Sequence, residues 1–381
     1  MKKFLLKQLN KNDGLIKHSL IVFLATGIGG LCNYIFHLYM GRALGPEEYG
    51  ILGALFSIFY ILVTPSGTIQ TVITKFISQF KAENEYGKIR SFLGLAFKKI
   101  FFYGLMFFIA FILSSRYIAL FLKIPHTPVV ALGVVLFLSF LYPILNGVLI
   151  GLQRFNWYSA AGVIQTTLKL GFGVLLVSLG FGVVGAVNAL SLAAIVTILI
   201  VLIPIWFLFK IEKEKLHHLN IFRYGLFVLI GVEGLMLITN MDMFLVKHFF
   251  SALEAGYYAA ASMLAKISWF ASGALIAVMF PKISELHTKG ENSSSILKNT
   301  LFYTVLISFS IVLIYFIAPT FVIRMLYGEK YLAVKGLIGY LSLGLAFFAL
   351  NNVIAMYNFA IKRMKFVYKK LGRIPTNLFV G

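Results

Sequence analysis

Apolar stretches of eighteen residues or more recur from one end of this chain to the other. A run of that length spans the hydrocarbon layer of a bilayer as an α-helix. Only helices and closed barrels satisfy their backbone groups inside a membrane. The runs are continuous and lack the two-residue alternation of barrel strands, so the expected class is an all-α polytopic membrane protein. Ten spans are expected, at 18–40, 50–80, 98–115, 127–151, 157–179, 183–209, 222–249, 256–281, 298–319 and 332–361.

The stretch from Met40 to Lys81 organises the rest. Gly41, Gly45 and Pro46 mark a turn, because glycine tolerates left-handed backbone and proline cannot extend a helix backwards. With long apolar runs on both sides, the turn reads as a tight hairpin between two spans. Thr64-Pro65-Ser66-Gly67 interrupts the second span and is expected to kink it.

Charge sets the orientation. With the N-terminus inside, the inner segments hold 24 Lys and Arg and the outer turns seven, while Lys75, Lys169 and Lys266 lie within spans. That asymmetry favours both termini in the cytoplasm and a cytoplasmic membrane location. The net charge of +21 invites a nucleic-acid reading. The basic residues instead sit at span ends, where anionic lipid headgroups are the economical partner and nucleic acid is not. Met1 to Lys17 is basic, and no small-residue cleavage site follows the first apolar run, so no cleavable signal is expected. Phe4, Leu5 and Leu9 give this segment an amphipathic, membrane-surface character.

The organisation expected from these features is a cytoplasmic N-terminus (1–17), a first six-helix bundle (18–209), a charged linker (210–221), a second bundle (222–361) and a basic tail (362–381). A shift of 207 lays Asn33 on Asn240, Glu47 on Glu254 and Lys75 on Lys282. Two parallel halves of this kind are a common transporter plan. Spans five and six lack partners in the second half, so the second bundle is expected to be four helices, short of two.

The turn Gly41-Arg-Ala-Leu-Gly-Pro-Glu-Glu-Tyr-Gly50, the run Pro65-Ser-Gly-Thr-Ile-Gln-Thr-Val-Ile-Thr-Lys-Phe76, the segment Gly147-Val-Leu-Ile-Gly-Leu-Gln-Arg-Phe155 and the segment Leu179-Gly-Phe-Gly-Val-Val-Gly-Ala186 carry a likeness to a known family. The chain resembles the polysaccharide-biosynthesis flippases of O-antigen type, within the superfamily of multidrug and toxin exporters and oligosaccharidyl-lipid flippases. The resemblance implies two helical bundles around a cavity that opens alternately to each side. It also implies a polyprenyl-pyrophosphate-linked oligosaccharide as cargo, with a polysaccharide polymerase and glycosyltransferases as pathway partners.

Such a cargo has a charged pyrophosphate and a sugar head that hydrocarbon excludes. Ionisable residues at membrane depth are costly and are therefore the functional candidates. Within the spans the acids are Glu233 and Asp242 and the bases are Lys75, Lys169 and Lys266, with His37 as a titratable neighbour. Lys169 has no acid near it in sequence and suits a phosphate contact; the plainer reading is a snorkelling lysine. Asp242 and Lys266 either bridge one another or face the cavity. Asp242 and Glu233 are the candidates for Na+ or H+ coupling. Arg42 at the outer turn, and Asn33 and Asn240 inside spans, complete the cavity set, although asparagines equally serve as glue between helices.

No enzyme is expected. There is no Walker loop, no metal-ligand spacing and no loop with paired carboxylates. Cys32 is the single cysteine, so neither a disulfide nor a zinc site can be built. A cation-coupled multidrug exporter of the same fold is the alternative, and it predicts carboxylates in the first six spans, where none occurs.

Overall fold

The computed structural model describes residues 2–216, 237, 239–288 and 290–361, with side chains described from residue 20 onward except at 271, 281, 285 and 288. Its regular elements are helices: α1 (Lys2–Leu62), α2 (Thr64–Ala82), α3 (Tyr86–Leu122), α4 (His126–Gly151), α5 (Phe155–Ser178), α6 (Gly182–Ile205), α7 (239–249), α8 (Ala252–Thr288), α9 (Ser294–Ile317), α10 (Pro319–Leu326) and α11 (Ile338–Ala360). Short 3-10 turns occupy Trp206–Lys210 and Glu329–Gly336. Among the described residues, eight helical segments are long and apolar enough to cross a membrane. The first of them, Leu20–Ala82, contains both of the first two expected spans. Most of the expected seventh span, 222–249, lies outside the described residues.

α1 is two limbs joined at Gly45, whose φ of 75° and ψ of 175° break the helix. Pro46 then opens the second limb, where its missing N–H costs nothing. The chain folds back at this point. The rings of His37 and Phe56 lie 5.1 Å apart, and the Tyr49 hydroxyl lies 3.4 Å from His37 Nδ1. In a straight helix the nineteen residues from His37 to Phe56 would separate them by about 28 Å. The expected hairpin is therefore present. The expected break in the second span is also present, at Val63, between the second limb and α2. Thr64 Oγ1 donates to Tyr60 O, one turn back, at 3.0 Å, and Pro65 has no N–H to offer the next carbonyl, that of Ile61.

α2 packs on α4 through a seam of small residues. Val72, Ile73, Phe76, Ile77 and Phe80 bury the apolar face of α2 against Ile144, Val148 and Phe92. On the same helix, Thr74 and Ser78 donate to the carbonyls of Gly147 and Gly151, each at 3.4 Å, and Lys81 Nζ donates to Leu152 O at 2.8 Å. Positions 74, 78 and 81 share one helix face. The Gly147-Val-Leu-Ile-Gly151 motif lets the two backbones approach closely enough for these bonds to form.

α3 corrects the sequence reading. It begins at Tyr86 and runs 37 residues, so 86–97 is helix and not loop. The charges at Lys88, Arg90, Lys98 and Lys99 lower the hydropathy of this end without opposing helix formation. Its C-terminus is capped from a distance. The last four carbonyls of a helix lack helical partners. Here Ala119 O and Leu120 O accept from the N–H groups of Ile124 and Lys123, at 3.0 and 3.2 Å. His248 Nδ1 lies 2.7 Å from Phe121 O with its ring stacked on Phe121, and Lys247 Nζ donates to Leu122 O at 3.1 Å. Lys247, read from sequence as an outer-turn residue, is only 1% exposed. Lys247→Met would strand that buried carbonyl and is expected to cost ~1–3 kcal/mol, read as a lower unfolding temperature in detergent.

The segment after α6 lies along the start of α3. Ser91 Oγ donates to Glu214 O at 2.6 Å, and a Cβ on Gly87 would fall 2.2 Å from Glu214 Oε1. Residues 217–221 of the expected linker, the basic tail after 361 and Glu233 lie outside the described residues.

The described residues form two compact units, Met1–Gly256 and Tyr257–Gly381. The first holds α1 to α7 and the first turn of α8. The second is built on α8, α9 and α11 and is stitched by hydroxyls. Ser308 Oγ donates to Ser268 O at 2.7 Å, Ser268 Oγ reaches Ser342 O at 3.2 Å, and Tyr315 OH donates to Leu264 O at 3.0 Å. Two sequence boundaries shift here. The ninth expected span ends at Ile317, and Pro319–Leu326 forms its own short helix because Pro319 starts rather than continues one. The tenth span, expected from 332, starts at Ile338 after the 3-10 turn. Outward-facing Phe102, Leu113, Leu120 and Ile317 are each more than half exposed, which suits a surface solvated by acyl chains and not by water.

Candidate functional site

Lys169 lies inside α5, fourteen residues from Phe155 and nine from Ser178. At 1.5 Å per residue that places it about 21 and 13 Å from the two helix ends, within the hydrocarbon layer. α1 and α5 run side by side here. Gly29 faces Thr166, Cys32 Sγ lies 3.8 Å from Thr167 Oγ1, and a Cβ on Gly173 would fall 2.6 Å from the Phe36 ring. The absence of a side chain at Gly173 lets the helices come together one turn beyond Lys169.

Lys169 Nζ donates to Asn33 Oδ1, and the same ammonium sits 4.4 Å from the centre of the Phe36 ring and 5.9 Å from that of Phe56. Asn33 in turn donates from Nδ2 to Gly29 O at 3.0 Å. The partners of the ammonium are one neutral amide and two aromatic faces, which attract a cation through the ring quadrupole. Among the described residues no carboxylate is within ion-pair reach of it. The site thus carries a positive charge at membrane depth that its surroundings hold but do not neutralise.

The structure brings together Lys169 and Asn33, which were separate candidates in the sequence. Two members of the site, Phe36 and Phe56, were not anticipated. Their signal was present: the hairpin at Gly45 places positions 36 and 56 opposite one another, and 36 lies on the face of α1 that carries Asn33. His37, buried under Tyr49, Phe36 and Phe56, is packed against the same aromatic pair.

Arg42 is exposed three residues before the Gly45 turn, and Lys75 is exposed on α2. Asn240 is buried and donates to Thr239 Oγ1 at 3.2 Å. Asp242 is partly buried on α7 in the first unit, and Lys266 is partly buried on α8 in the second. Among the described residues no three His, Cys, Asp or Glu side chains group to hold a metal ion.

Sequence reading also missed the start of α8. Ser251-Ala-Leu-Glu254 is a capping box: Ser251 Oγ accepts from Glu254 N at 3.2 Å, and Glu254 Oε2 accepts from Ser251 N at 3.0 Å. Glu254, paired with Glu47 by the internal repeat, therefore serves as a helix cap.

Comparison with known proteins places this architecture. A family model described as polysaccharide biosynthesis protein matches residues 39–335, most of the chain. The chain belongs to this family. An uncharacterized membrane protein of Methanocaldococcus jannaschii is 27% identical over 373 residues, covering 89% of the chain and 71% of that relative. Two solved structures share its fold. The inward closed lipid II flippase MurJ matches with a TM-score of 0.67 at 16% identity, over 90% of the chain and 76% of that structure. An inward-facing multidrug resistance MATE transporter matches with a TM-score of 0.65 at 16% identity, over 87% and 80%. This family member is thus an all-α, multi-pass membrane protein with the MATE and MurJ fold.

Proposed function

We propose that this protein is a flippase that moves polyprenyl-pyrophosphate-linked oligosaccharide units across the cytoplasmic membrane by alternating access, with both termini inside. The observation that carries the reading is the Lys169 ammonium, held at membrane depth by Asn33, Phe36 and Phe56 with no carboxylate in reach among the described residues. A cation kept at that depth is costly unless something compensates its charge. A pyrophosphate head supplies that compensation through charge-assisted hydrogen bonds. Membership of the polysaccharide biosynthesis family and the MurJ-like fold support a lipid-linked cargo. A cation-coupled multidrug exporter, the alternative, fits poorly, because the first six expected spans hold no carboxylate to bind the coupling cation. Lys266 and Asn240 are further candidates to contact the cargo, and Asp242 and Glu233 to bind a coupling ion.

Export in a flippase-deficient strain tests the reading. Lys169→Ala is expected to reduce surface polysaccharide by about tenfold or more, the loss of roughly one charge-assisted contact, with protein level in the membrane unchanged. Lys75→Ala, exposed on α2, is expected to remain close to wild type. Wild-type export by Lys169→Ala would refute the assignment.

A further inference from the structure

Asn33 has its two side-chain ends committed in opposite directions. Nδ2 donates to Gly29 O, one turn back on α1, at 3.0 Å. Oδ1 then faces α5 and accepts from Lys169 Nζ. This orientation is forced, because an ammonium only donates and the amide NH2 has nothing to accept with. On the α1 side a Cβ on Gly29 would sit 3.5 Å from Thr166 Oγ1, an ordinary contact distance. On the remaining side the ammonium meets the faces of Phe36 and Phe56. Each of these groups is neutral. The nearest isostere of asparagine, an aspartate, would put a full negative charge at Oδ1 with almost no change in shape.

We propose that Asn33 is a positioning residue that sets the charge specificity of the Lys169 site: it orients the ammonium while leaving the charge uncompensated, so that the site takes a phosphate-type anion and rejects cations. This rests on the reading of Lys169 as a head-group contact. An aspartate at 33 would close the site on itself. The incoming anion would then have to displace a carboxylate from a partly buried ion pair, and breaking such pairs away from water is unfavourable. A purely structural role for Asn33 ranks substitutions the other way. Aspartate keeps the shape and adds an ion pair, so it would be tolerated better than alanine.

The test compares purified Asn33→Asp, Asn33→Ala, Asn33→Gln and Lys169→Ala with wild type. Native mass spectrometry in detergent measures binding of a long-chain polyprenyl pyrophosphate, and thermal unfolding measures the fold. Asn33→Asp is expected to bind at least about tenfold more weakly with an unfolding temperature equal to or above wild type. Asn33→Ala and Asn33→Gln, which disturb the anchor of the ammonium but leave its charge intact, are expected to bind about three- to fivefold more weakly than wild type and still more tightly than Asn33→Asp. Binding by Asn33→Asp within about twofold of wild type, with Lys169→Ala defective, would overturn the role of Asn33 and leave that of Lys169 standing. Wild-type binding by Lys169→Ala would remove the site reading itself. If Asn33→Asp does not fold, Asn33→Ala decides: binding weakened by about three- to fivefold in a folded protein supports the positioning role, and wild-type binding overturns it.

Discussion

Gly256→Ala is expected to yield little folded protein, although it adds one methyl group. A Cβ at Gly256 would lie 1.7 Å from the carbonyl oxygen of Pro46 and 2.4 Å from its carbonyl carbon. The facing glycine is equally constrained, since a Cβ on Gly50 would lie 2.6 Å from Gly256 N and 2.9 Å from Ala252 O. The atoms met are backbone on both sides, so no rotamer change relieves the clash. The start of α8 would have to part from the hairpin tip. Overpacking costs ~1–3 kcal/mol in forgiving sites, and this one is expected at or above the top of that range. Fluorescence-detected gel filtration and thermal unfolding give the readout. Gly162→Ala is the control, because a Cβ there meets nothing within 4 Å. Helix propensity alone should make that control stabilising by roughly 1 kcal/mol or less. Equal stability of Gly256→Ala and Gly162→Ala would show that the crossing is not closely packed.

Gly151→Leu is expected to have the next largest effect. A Cβ at this position would fall 2.6 Å from Ile77 Cβ and 3.1 Å from Thr74 O, and one at Gly147 would fall 2.7 Å from Ile73 Cβ and 2.9 Å from Gln70 O. Ile73 and Ile77 are β-branched and hold one χ1 rotamer in a helix, so they cannot swing aside. α2 must then retreat from α4, and the bonds from Thr74, Ser78 and Lys81 to α4 carbonyls lengthen together. A loss of ~3 kcal/mol or more is expected, combining overpacking with carbonyls left without donors. Because Ser78 already reaches Gly151 O at 3.4 Å, Ser78→Ala should cost much less than Gly151→Leu. A smaller drop in unfolding temperature for Gly151→Leu than for Ser78→Ala would contradict this account.

The membrane class and the hairpin were legible in the sequence because each rests on a local property. Hydropathy over eighteen or more residues is a sum over neighbours, and Gly45-Pro46 acts on the backbone at its own position. The depth of Lys169 was legible for the same reason, since counting residues along α5 is enough. The start of α3 was not, because charged residues at the water-facing end of a helix lower hydropathy without ending the helix. Lys247 was misplaced by the same rule: its charge suggested a solvated turn, whereas it is buried against the carbonyl end of α3.

By itself, then, the sequence determined that this chain crosses a membrane as helices, where it turns back at Gly45, and that few ionisable residues lie at depth. The tertiary structure alone decided which neutral groups surround Lys169, and that Gly50 meets Gly256. Those pairings join residues far apart in the chain, 136 positions in the case of Asn33 and Lys169. Composition and periodicity constrain the faces of single helices. Only the close approach of two backbones, allowed at the glycines, selects which faces meet and so which side chains become neighbours.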